Sequence, residues 1–499
     1  MTPVTTGRLR RILVAGNGFE AWLAAGVLAA KLGTAGVRVA VCGVPGSEAW
    51  DALYSMLPLH PDDGLVPMRI SDLDLVQDLD ASFSLGARFE DSAGTCRFFP
   101  YGPVGIDYAG VAFHHYWLLA GAHAGDYFRY SPGVRAMDSG VFAPPVPQNA
   151  IGNLQHEIAR HVVPERLTAR LRAAACRAGA DKIWAPLAEV RRTSGGHRIE
   201  CVVTAAGERI ESDLYIDCTG PVRRLSKTAA KADWIAAGQS GSPRSYRLAV
   251  DRGAAQGPPQ PFHEVRACGD GWEIAVPTGS QRIGLGFTDS GRCADDGEAA
   301  FIPGHAARPW AGNCVALGHA ACALLPAMPI HVQHLMTCIA RVIDLMPGPD
   351  SLDAESLEFN KLFARDVEAA HDWIALHELA RSRGTLDPRA LADLPLGEHL
   401  RRRLALFSKR GCVPRSDSVL IPRHAWSAAL LFHGLVPDHH NLLAERVAAG
   451  TLVRSLGELA SRIDEVIAGF PPHRVYLDAA GRAVHHAAPG APSSGGRAC

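Results

Sequence analysis

The sequence predicts an α/β fold, in which a doubly wound parallel sheet carries an inserted antiparallel sheet and is followed by a helical C-terminal block. Three observations support this prediction: a strand, a glycine-rich turn and a helix open the chain, strands and helices alternate along most of it, and its final part is mostly helical. We expect a core with inserted segments over residues 1–350, a helical block over 351–487 and a disordered tail over 488–499.

Composition excludes several classes of protein. The 499 residues include 47% hydrophobic and 20% charged residues, which is typical of a globular chain, and the net charge of −1 argues against a dedicated nucleic-acid binder. The 12 cysteines form no C-x-x-C pair, so neither a zinc site nor a disulfide framework is expected. Residues 1–11 lack the apolar run of a signal peptide, and no apolar run is long enough to cross a membrane, so we expect neither a signal peptide nor a transmembrane helix. We therefore expect a cytoplasmic protein that binds no metal and no membrane.

The N-terminal segment reads as one βαβ unit. Arg11–Ala15 is a short apolar run that fits a buried strand. Glu20 to Leu32 places Ala, Leu, Val and Trp at helical spacing, and Val37–Val41 is a second strand. This is the usual opening of a nucleotide-binding sheet.

The turn inside that unit carries the first chemical motif. Gly16, Gly18 and Ala21 match G-x-G-x-x-A between a strand and a helix, where backbone N–H groups and the helix dipole can hold a pyrophosphate. An ordinary strand–turn–helix is the alternative interpretation. The second strand leads to Cys42, where a dinucleotide site has an acidic residue for the ribose hydroxyls, so the grip on the ribose is expected to be weaker.

The remaining elements follow the same alternation. The pattern predicts a helix over His156–Gly179, short strands with Gly turns over Val190–Ile210 and a strand ending in D-C-T-G, as in many FAD enzymes, over Asp213–Gly220. It also predicts a hairpin over Trp272–Phe287 and helical stretches over Leu352–Ser382 and Leu396–Phe470.

Several segments resemble, in matching order, those of one known family, the flavin-dependent tryptophan halogenases. The segments are Gly16–Ala25, Ala81–Glu90, Phe113–Trp117, Arg308–Gly318, Phe359–Asn360, His371–His377, Phe407–Arg415 and Trp426–Pro437.

This resemblance implies a Rossmann-like FAD-binding fold of the glutathione-reductase type, a role in secondary metabolism and a separate flavin reductase that supplies reduced FAD. The residues that it assigns to the cofactor are Gly16, Gly18, Phe19, Glu20, Ala21, Cys42, Ala49, Val190, Gly318 and Ile330. His319 follows Gly318, where related flavoenzymes often have an Asp that faces the ribityl chain of the flavin. A histidine could form a hydrogen bond there or act as a base, but a core histidine is the favoured interpretation.

The groups that the family uses for halogenation are replaced. In the family, an electrophilic halogen species reaches a Lys beside the indole, and a Glu helps to place the halogen and takes the ring proton. Here Ser84 stands at the Lys position and Met328 at the Glu position. Pro329 and Ile330 replace the Ser-Thr pair that helps to bind halide and flavin. A hydroxyl has neither the charge nor the nucleophilic nitrogen of an amine, so the usual mechanism is not expected to operate.

The substrate side is predicted from aromatic residues. Phe99 and Tyr101 resemble the wall that holds the substrate ring in the family, although an aromatic core is an equally good interpretation. His114 is a third candidate; on a strand it would face away from His115.

We expect an FAD-dependent oxidoreductase that acts with reduced flavin and O₂ on an aromatic, indole-like substrate, by non-standard chemistry such as monooxygenation. Two alternatives stay open: a true halogenase with relocated catalytic groups, and a non-catalytic family member that binds a ligand. The expected partners are a flavin reductase, a small aromatic or peptide substrate and, as a possible homodimer, a second copy of the chain.

Overall fold

The computed structural model describes residues 9–57, 76–91, 94–146, 151–152, 154–195, 198–229, 234–237, 245–269, 271–289, 300–325, 330–346, 353–383, 386, 396–415, 418 and 420–482. The predicted α/β class, with its parallel sheet, antiparallel sheet and C-terminal helices, is confirmed. Met328 and the tail over 488–499 lie outside the described residues, so nothing is concluded about either.

A six-stranded, mostly parallel sheet forms the centre of the N-terminal region. Its inner strands are near-continuous apolar runs because both of their faces are covered. In spatial order they are β20 (Trp310–Ala311), β21 (Cys314–Ala316), β12 (Leu214–Asp217), β1 (Arg11–Ala15), β2 (Arg38–Cys42) and β8 (Ala180–Ile183).

The parallel register brings the ends of three strands together. Ala15 at the end of β1 lies opposite Cys42 of β2 on one side and Asp217 of β12 on the other. Helix α1 (Phe19–Leu32) begins directly after β1 and buries Trp22 and Leu28. The crevice at this edge is the position at which doubly wound sheets bind their ligands.

A seven-stranded sheet, antiparallel except for the pair β15 and β5, is the inserted layer. In spatial order its strands are β18 (Ala300–Phe301), β14 (Tyr246–Ala254), β17 (Gln281–Asp289), β16 (Gly271–Pro277), β15 (His263–Cys268), β5 (Gly86–Glu90) and β6 (Cys96–Pro100).

Three small antiparallel sheets complete the strands. They are β11 (Arg209–Ile210), β10 (Ile199–Thr204) and β9 (Leu187–Arg192); β13 (Trp234–Ala236), β19 (Gly304–Ala306) and β22 (Cys322–Ala323); and β3 (Met56–Leu57), β7 (Ala159–His161) and β4 (Ser82–Ser84).

The helices after α1 concentrate toward the C-terminal end, as predicted. They are α2 (Phe113–Ala120), α3 (Pro132–Ser139), α4 (Pro164–Arg177), α5 (Ser226–Ala229), α6 (Ile330–Asp344), α7 (Asp353–Arg383), α8 (Glu398–Arg410), α9 (Arg423–Phe432), α10 (Ala449–Ala468) and α11 (His473–Arg482). No helix among the described residues is both long and apolar enough to span a bilayer.

The helix predicted over His156–Gly179 is only partly correct. Its first residues form strand β7, which pairs with Ser82–Ser84 of β4 and with β3. The helix begins at Pro164, because proline lacks the N–H group that an interior helical position needs and is favoured in the first turn. The division of the chain at residue 350 stays a prediction.

Candidate functional site

The predicted nucleotide-binding turn lies at the carboxyl edge of the parallel sheet. Gly16 has a φ of 141°, and a Cβ there would collide with the Cys218 carbonyl and approach Ala21. The turn therefore requires glycine for the same reason that a dinucleotide site does. We call the crevice around this turn, bounded by Gly16–Ala21, Ser47–Tyr54 and Gly318–His319, the cradle.

The backbone donors of the turn already have partners within the chain. The Phe19 N–H donates to Asp51 Oδ1 at 2.8 Å, and the Asn17 N–H donates to Ser47 Oγ at 2.8 Å. The second oxygen of Asp51 accepts a hydrogen bond from Thr168 Oγ1 at 2.8 Å. Asp51 is 5% exposed, and burial raises the pKa of its carboxyl to about 7. The N-terminus of α1 thus has an anion from its own chain.

Glu20 is the second buried carboxylate of the cradle. It is 5% exposed, and its Oε1 accepts the His319 backbone N–H at 2.8 Å and the His319 ring Nδ1–H at 2.5 Å, together with the Tyr54 hydroxyl. A Cβ on Gly318, whose φ is 58°, would collide with this carboxylate. His319 is buried, in agreement with the favoured interpretation of a core histidine.

Aromatic rings fill the rest of the cradle. Phe19 stacks on Tyr54 with ring centroids 4.3 Å apart, and Trp50 stacks on His319 at 5.6 Å. A Cβ on Gly220, in the turn after β12, would collide with the Trp50 indole. The glycines that would let a ligand approach the backbone are therefore covered by side chains.

The other predicted cofactor residues lie around the same sheet edge or behind it. Ala21 and Ile330 are buried, and Ala49 is exposed on the 3-10 helix Ser47–Tyr54. Val190 is half-buried and packs against the apolar cluster that contains Cys42. Burial raises the pKa of the Cys42 thiol to about 11, so it stays neutral near pH 7. The assignment of all ten residues to FAD stays a prediction.

The described conformation of the cradle does not fit FAD. In a dinucleotide site the second glycine lets the pyrophosphate approach the backbone, but a Cβ on Gly18 would collide with Asp51 Oδ1. Asp51 and Glu20 would also repel a pyrophosphate, because each is a buried acidic group. In the described conformation, Asp51 therefore occupies the space beside Gly18.

Ser84 is fully buried on β4 and its hydroxyl is used within the fold. Ser84 Oγ donates to Gly86 O at 2.9 Å, and the side chain also interacts with Tyr101. The Tyr101 hydroxyl is 3.0 Å from His263 Nδ1, and burial lowers the pKa of His263 to about 3. This position therefore holds a packed neutral network in place of an amine.

Phe99 belongs to an aromatic cluster apart from Ser84. Its ring makes edge contacts with Phe432 at 5.3 Å and His377 at 6.1 Å, and it is 2% exposed. Tyr101 lies two positions later in the sequence but interacts with Ser84 and His263. The two predicted wall residues are therefore in different environments, and the role of each in substrate binding stays a prediction.

His114 lines a cavity of about 670 Å³ between α2, the end of α8 and the start of α9. The expectation that His114 and His115 face opposite ways is wrong, because Phe113–Ala120 is a helix and not a strand. Both are buried with ring centroids 4.1 Å apart; His114 Nε2–H donates to Gly411 O at 2.7 Å. Burial lowers the pKa of each to about 4, so both are neutral near pH 7.

Two arginines give this cavity its charge. Arg410 and Arg423 line it, and neither forms an ion pair with any residue that the structure describes. Asp107 also lines it, but its Oδ1 accepts the Phe113 N–H at 2.8 Å at the start of α2. Apolar parts of the wall come from Val104, Phe113, Tyr127 and other side chains. The cavity is suited to an aromatic ligand with an anionic group.

Within the described ranges, no group of three or more His, Cys, Asp or Glu side chains is placed to hold a metal ion. The absence of a metal from the protein stays a prediction.

Sequence reasoning missed the residues that close the cradle. Ser47, Trp50, Asp51 and Tyr54 lie on one short 3-10 helix, and only Ala49 within it was predicted to be functional. The available signal was the spacing of Trp50 and Asp51 from Tyr54, about one helical turn in each case, in the segment that follows β2. Arg410 lies in the family-like segment Phe407–Arg415, but the sequence assigned a role neither to it nor to Arg423.

Comparison with known proteins places this chain in a family. The family model described as tryptophan halogenase matches residues 11–449. Tryptophan 7-halogenase RebH of Lentzea aerocolonigenes is 22% identical over 87% of this chain and 91% of its own. Two solved flavin-dependent halogenases are similar in structure, each with a TM-score of 0.83. BrvH of Brevundimonas sp. BAL3 is 26% identical over 95% of this chain and 99% of its own, and Xcc4156 of Xanthomonas campestris is 25% identical over 95% and 98%. The chain belongs to the tryptophan halogenase family.

Proposed function

We propose that this family member is an oxidoreductase that acts on an aromatic, indole-like substrate with an anionic group, by chemistry other than lysine-guided halogenation. The observation that carries the proposal is the cavity beside His114, where Arg410 and Arg423 have no ion-pair partner among the described residues. A carboxylate on the ligand would meet these guanidinium groups while its ring contacts apolar wall residues such as Tyr127.

The environment of Ser84 supports the second half of the proposal. Its hydroxyl donates to Gly86 O, and the side chain is fully buried, so no nucleophilic amine is present at that position. The lysine that precedes it in sequence, Lys31, lies at the end of α1, and the lysine that follows, Lys182, is on β8. No lysine occurs between these two.

Monooxygenation is the finer reaction that we propose. One atom of O₂ would enter a ring C–H bond as a hydroxyl group and the other would leave as water, with the two electrons supplied by reduced FAD from a separate flavin reductase. Flavin binding requires Asp51 and Glu20 to leave the positions described above. We also propose a cytoplasmic location, which is supported by the free thiol state of the ten cysteines in the described part of the chain.

The closed cradle favours a second candidate function, a family member that binds its aromatic ligand without catalysis. Asp51 and Ser47 accept the hydrogen bonds of its Phe19 and Asn17 N–H groups, which a bound cofactor would otherwise accept. Such a protein would retain the cavity beside His114 and would have no turnover.

A turnover assay separates these functions. The purified chain is incubated with FAD, a flavin reductase, O₂ and an indole carboxylate, with and without bromide, and products are identified by mass. We expect a product heavier by one oxygen atom in both cases. A brominated product would contradict the proposal and support a relocated halogenase. Ligand binding without any product would support the second candidate function.

A further inference from the structure

We propose that Asp51 is an internal substitute for the pyrophosphate of a dinucleotide, so that flavin binds this chain only by displacing it. The inference rests on the proposed function in one respect, namely that FAD is the incoming ligand.

The first argument is the hydrogen bonding of the helix N-terminus. Asp51 Oδ1 accepts the Phe19 N–H at 2.8 Å, which is the type of donor that holds a phosphate oxygen in a dinucleotide site. Ser47 Oγ accepts the Asn17 N–H at 2.8 Å. Both acceptors come from the same 3-10 helix, Ser47–Tyr54, so a single element satisfies these two N–H groups.

The second argument is the space that the glycines leave. A Cβ on Gly18 would collide with Asp51 Oδ1, one on Gly318 with the Glu20 carboxylate and one on Gly220 with the Trp50 indole. Each of these glycines allows another group to approach the backbone closely, and in each case that group is a side chain of the protein itself. Side chains of the protein therefore occupy the space that these glycines leave in the cradle.

The third argument is charge. Asp51 and Glu20 are each 5% exposed, and neither forms an ion pair with a Lys or Arg among the residues that the structure describes. A pyrophosphate brings two further negative charges to this place. Such an anion is bound favourably only if the carboxylates are displaced or neutralised.

The fourth argument is that both carboxylates are held from elsewhere in the fold. Thr168 of α4 donates to Asp51 at 2.8 Å, and Tyr54 and His319 donate to Glu20. These contacts fix each carboxylate in one orientation. Displacement by flavin therefore breaks several hydrogen bonds to charged acceptors.

The test is a titration of the full-length protein with FAD at pH 8, followed by quenching of flavin and tryptophan fluorescence. We expect the Asp51→Ala, Glu20→Ala double variant to bind FAD at least about tenfold more tightly than the wild type, which corresponds to about 1.4 kcal/mol. Asp126→Ala is the matched control, because Asp126 accepts the Phe128 N–H at 3.1 Å at the start of another 3-10 helix. We expect it to bind FAD as the wild type does.

A second double variant keeps the test valid if the double alanine variant does not fold. Asp51→Asn with Glu20→Gln preserves shape and removes both charges, and we expect about threefold or greater tightening over the wild type. Low-micromolar binding by the wild type, or a folded double variant with unchanged affinity, would overturn the inference. Because binding is measured without substrate or O₂, a failed turnover assay leaves this result intact, and the two proposals fail separately.

Discussion

The cradle and the cavity beside His114 differ in where their polar groups find partners. In the cradle, the Phe19 and Asn17 N–H groups donate to Asp51 and Ser47 of the same chain. In the cavity, Arg410 and Arg423 have no ion-pair partner among the described residues. The motif is in the cradle, but the arginines that could pair with an anionic ligand are in the cavity. A recognisable turn therefore predicts the fold of a binding site more reliably than it predicts a ligand.

The largest expected effect is a difference in pH dependence. Burial raises the pKa of Asp51 from 3.8 to about 7, so its contribution to the free energy of unfolding is full below pH 4 and is lost as the pH rises through 7. Asp51→Asn removes this loss. We expect the variant to gain stability relative to the wild type between pH 5 and pH 8, by a few kcal/mol at about 1.4 kcal/mol per pKa unit.

The contribution of the cavity residue His114 to stability should depend on pH in the opposite direction. Burial lowers the pKa of His114 from 6.5 to about 4, so its contribution is full above pH 6.5 and is lost as the pH falls toward 4. In His114→Gln, we expect the stability deficit relative to the wild type to shrink on acidification. Thermal unfolding midpoints across pH 4–8 for the wild type and both variants measure these differences. Parallel curves for Asp51→Asn and the wild type would contradict a buried carboxylate in the cradle.

The next effect concerns the cavity arginines. We expect Arg410→Ala with Arg423→Ala to weaken binding of an indole carboxylate about a hundredfold, because a hydrogen bond to a charged group contributes about 1.5–3 kcal/mol. Isothermal titration calorimetry measures the change. Arg402→Ala is the control, since Arg402 is exposed on the same helix α8 and does not line the cavity. Equal losses in the control and the double variant would show that the ligand binds elsewhere or responds only to overall charge.

A smaller effect is expected at Gly18. Gly18→Ala places a Cβ against Asp51 Oδ1, and we expect a loss of about 1–3 kcal/mol in the free energy of unfolding. In the Asp51→Ala background the loss should decrease, although the Glu48 backbone still lies close to the new methyl group. Chemical denaturation of the four proteins in this double-mutant cycle measures the coupling. Strict additivity would mean that Asp51 does not occupy this space.

The smallest effect is expected from Ser84→Lys. The position is fully buried beside Tyr101, and we expect Met328 and Pro329 to differ from the family pattern as well. We expect no halogenated product from this single variant with reduced FAD, O₂ and bromide, as judged by product mass. Efficient bromination would show that the missing amine alone separates this chain from its halogenating relatives.

The elements that the sequence predicted well are those with local, periodic signals. The strand Arg11–Ala15, the helix that begins at Phe19 and the long helix Asp353–Arg383 follow from apolar spacing and a glycine turn. The predicted helix over His156–Gly179 lost its first part because Ala159–His161 pairs with strands distant in sequence. His114 was placed on a strand because two adjacent histidines carry no helical period.

The closure of the cradle could not be predicted in the same way. Asp51 forms hydrogen bonds with Phe19 and Thr168, which are 32 and 117 positions away in the sequence, and Glu20 forms one with His319, which is 299 positions away. The two Asp51 contacts depend on the tertiary placement of a short 3-10 helix, and spacing within that helix does not tell which distant residues it meets. The motif showed where a dinucleotide would approach, but the occupancy of that place follows from these distant contacts.

The most direct test of the account is a titration of the wild-type protein with FAD at pH 8, above the pKa of Asp51. The account predicts no saturation below the high micromolar range, because the pyrophosphate must displace Asp51 from the Phe19 N–H. Saturable binding in the low micromolar range would contradict it, and would mean that the cradle opens to flavin at little cost.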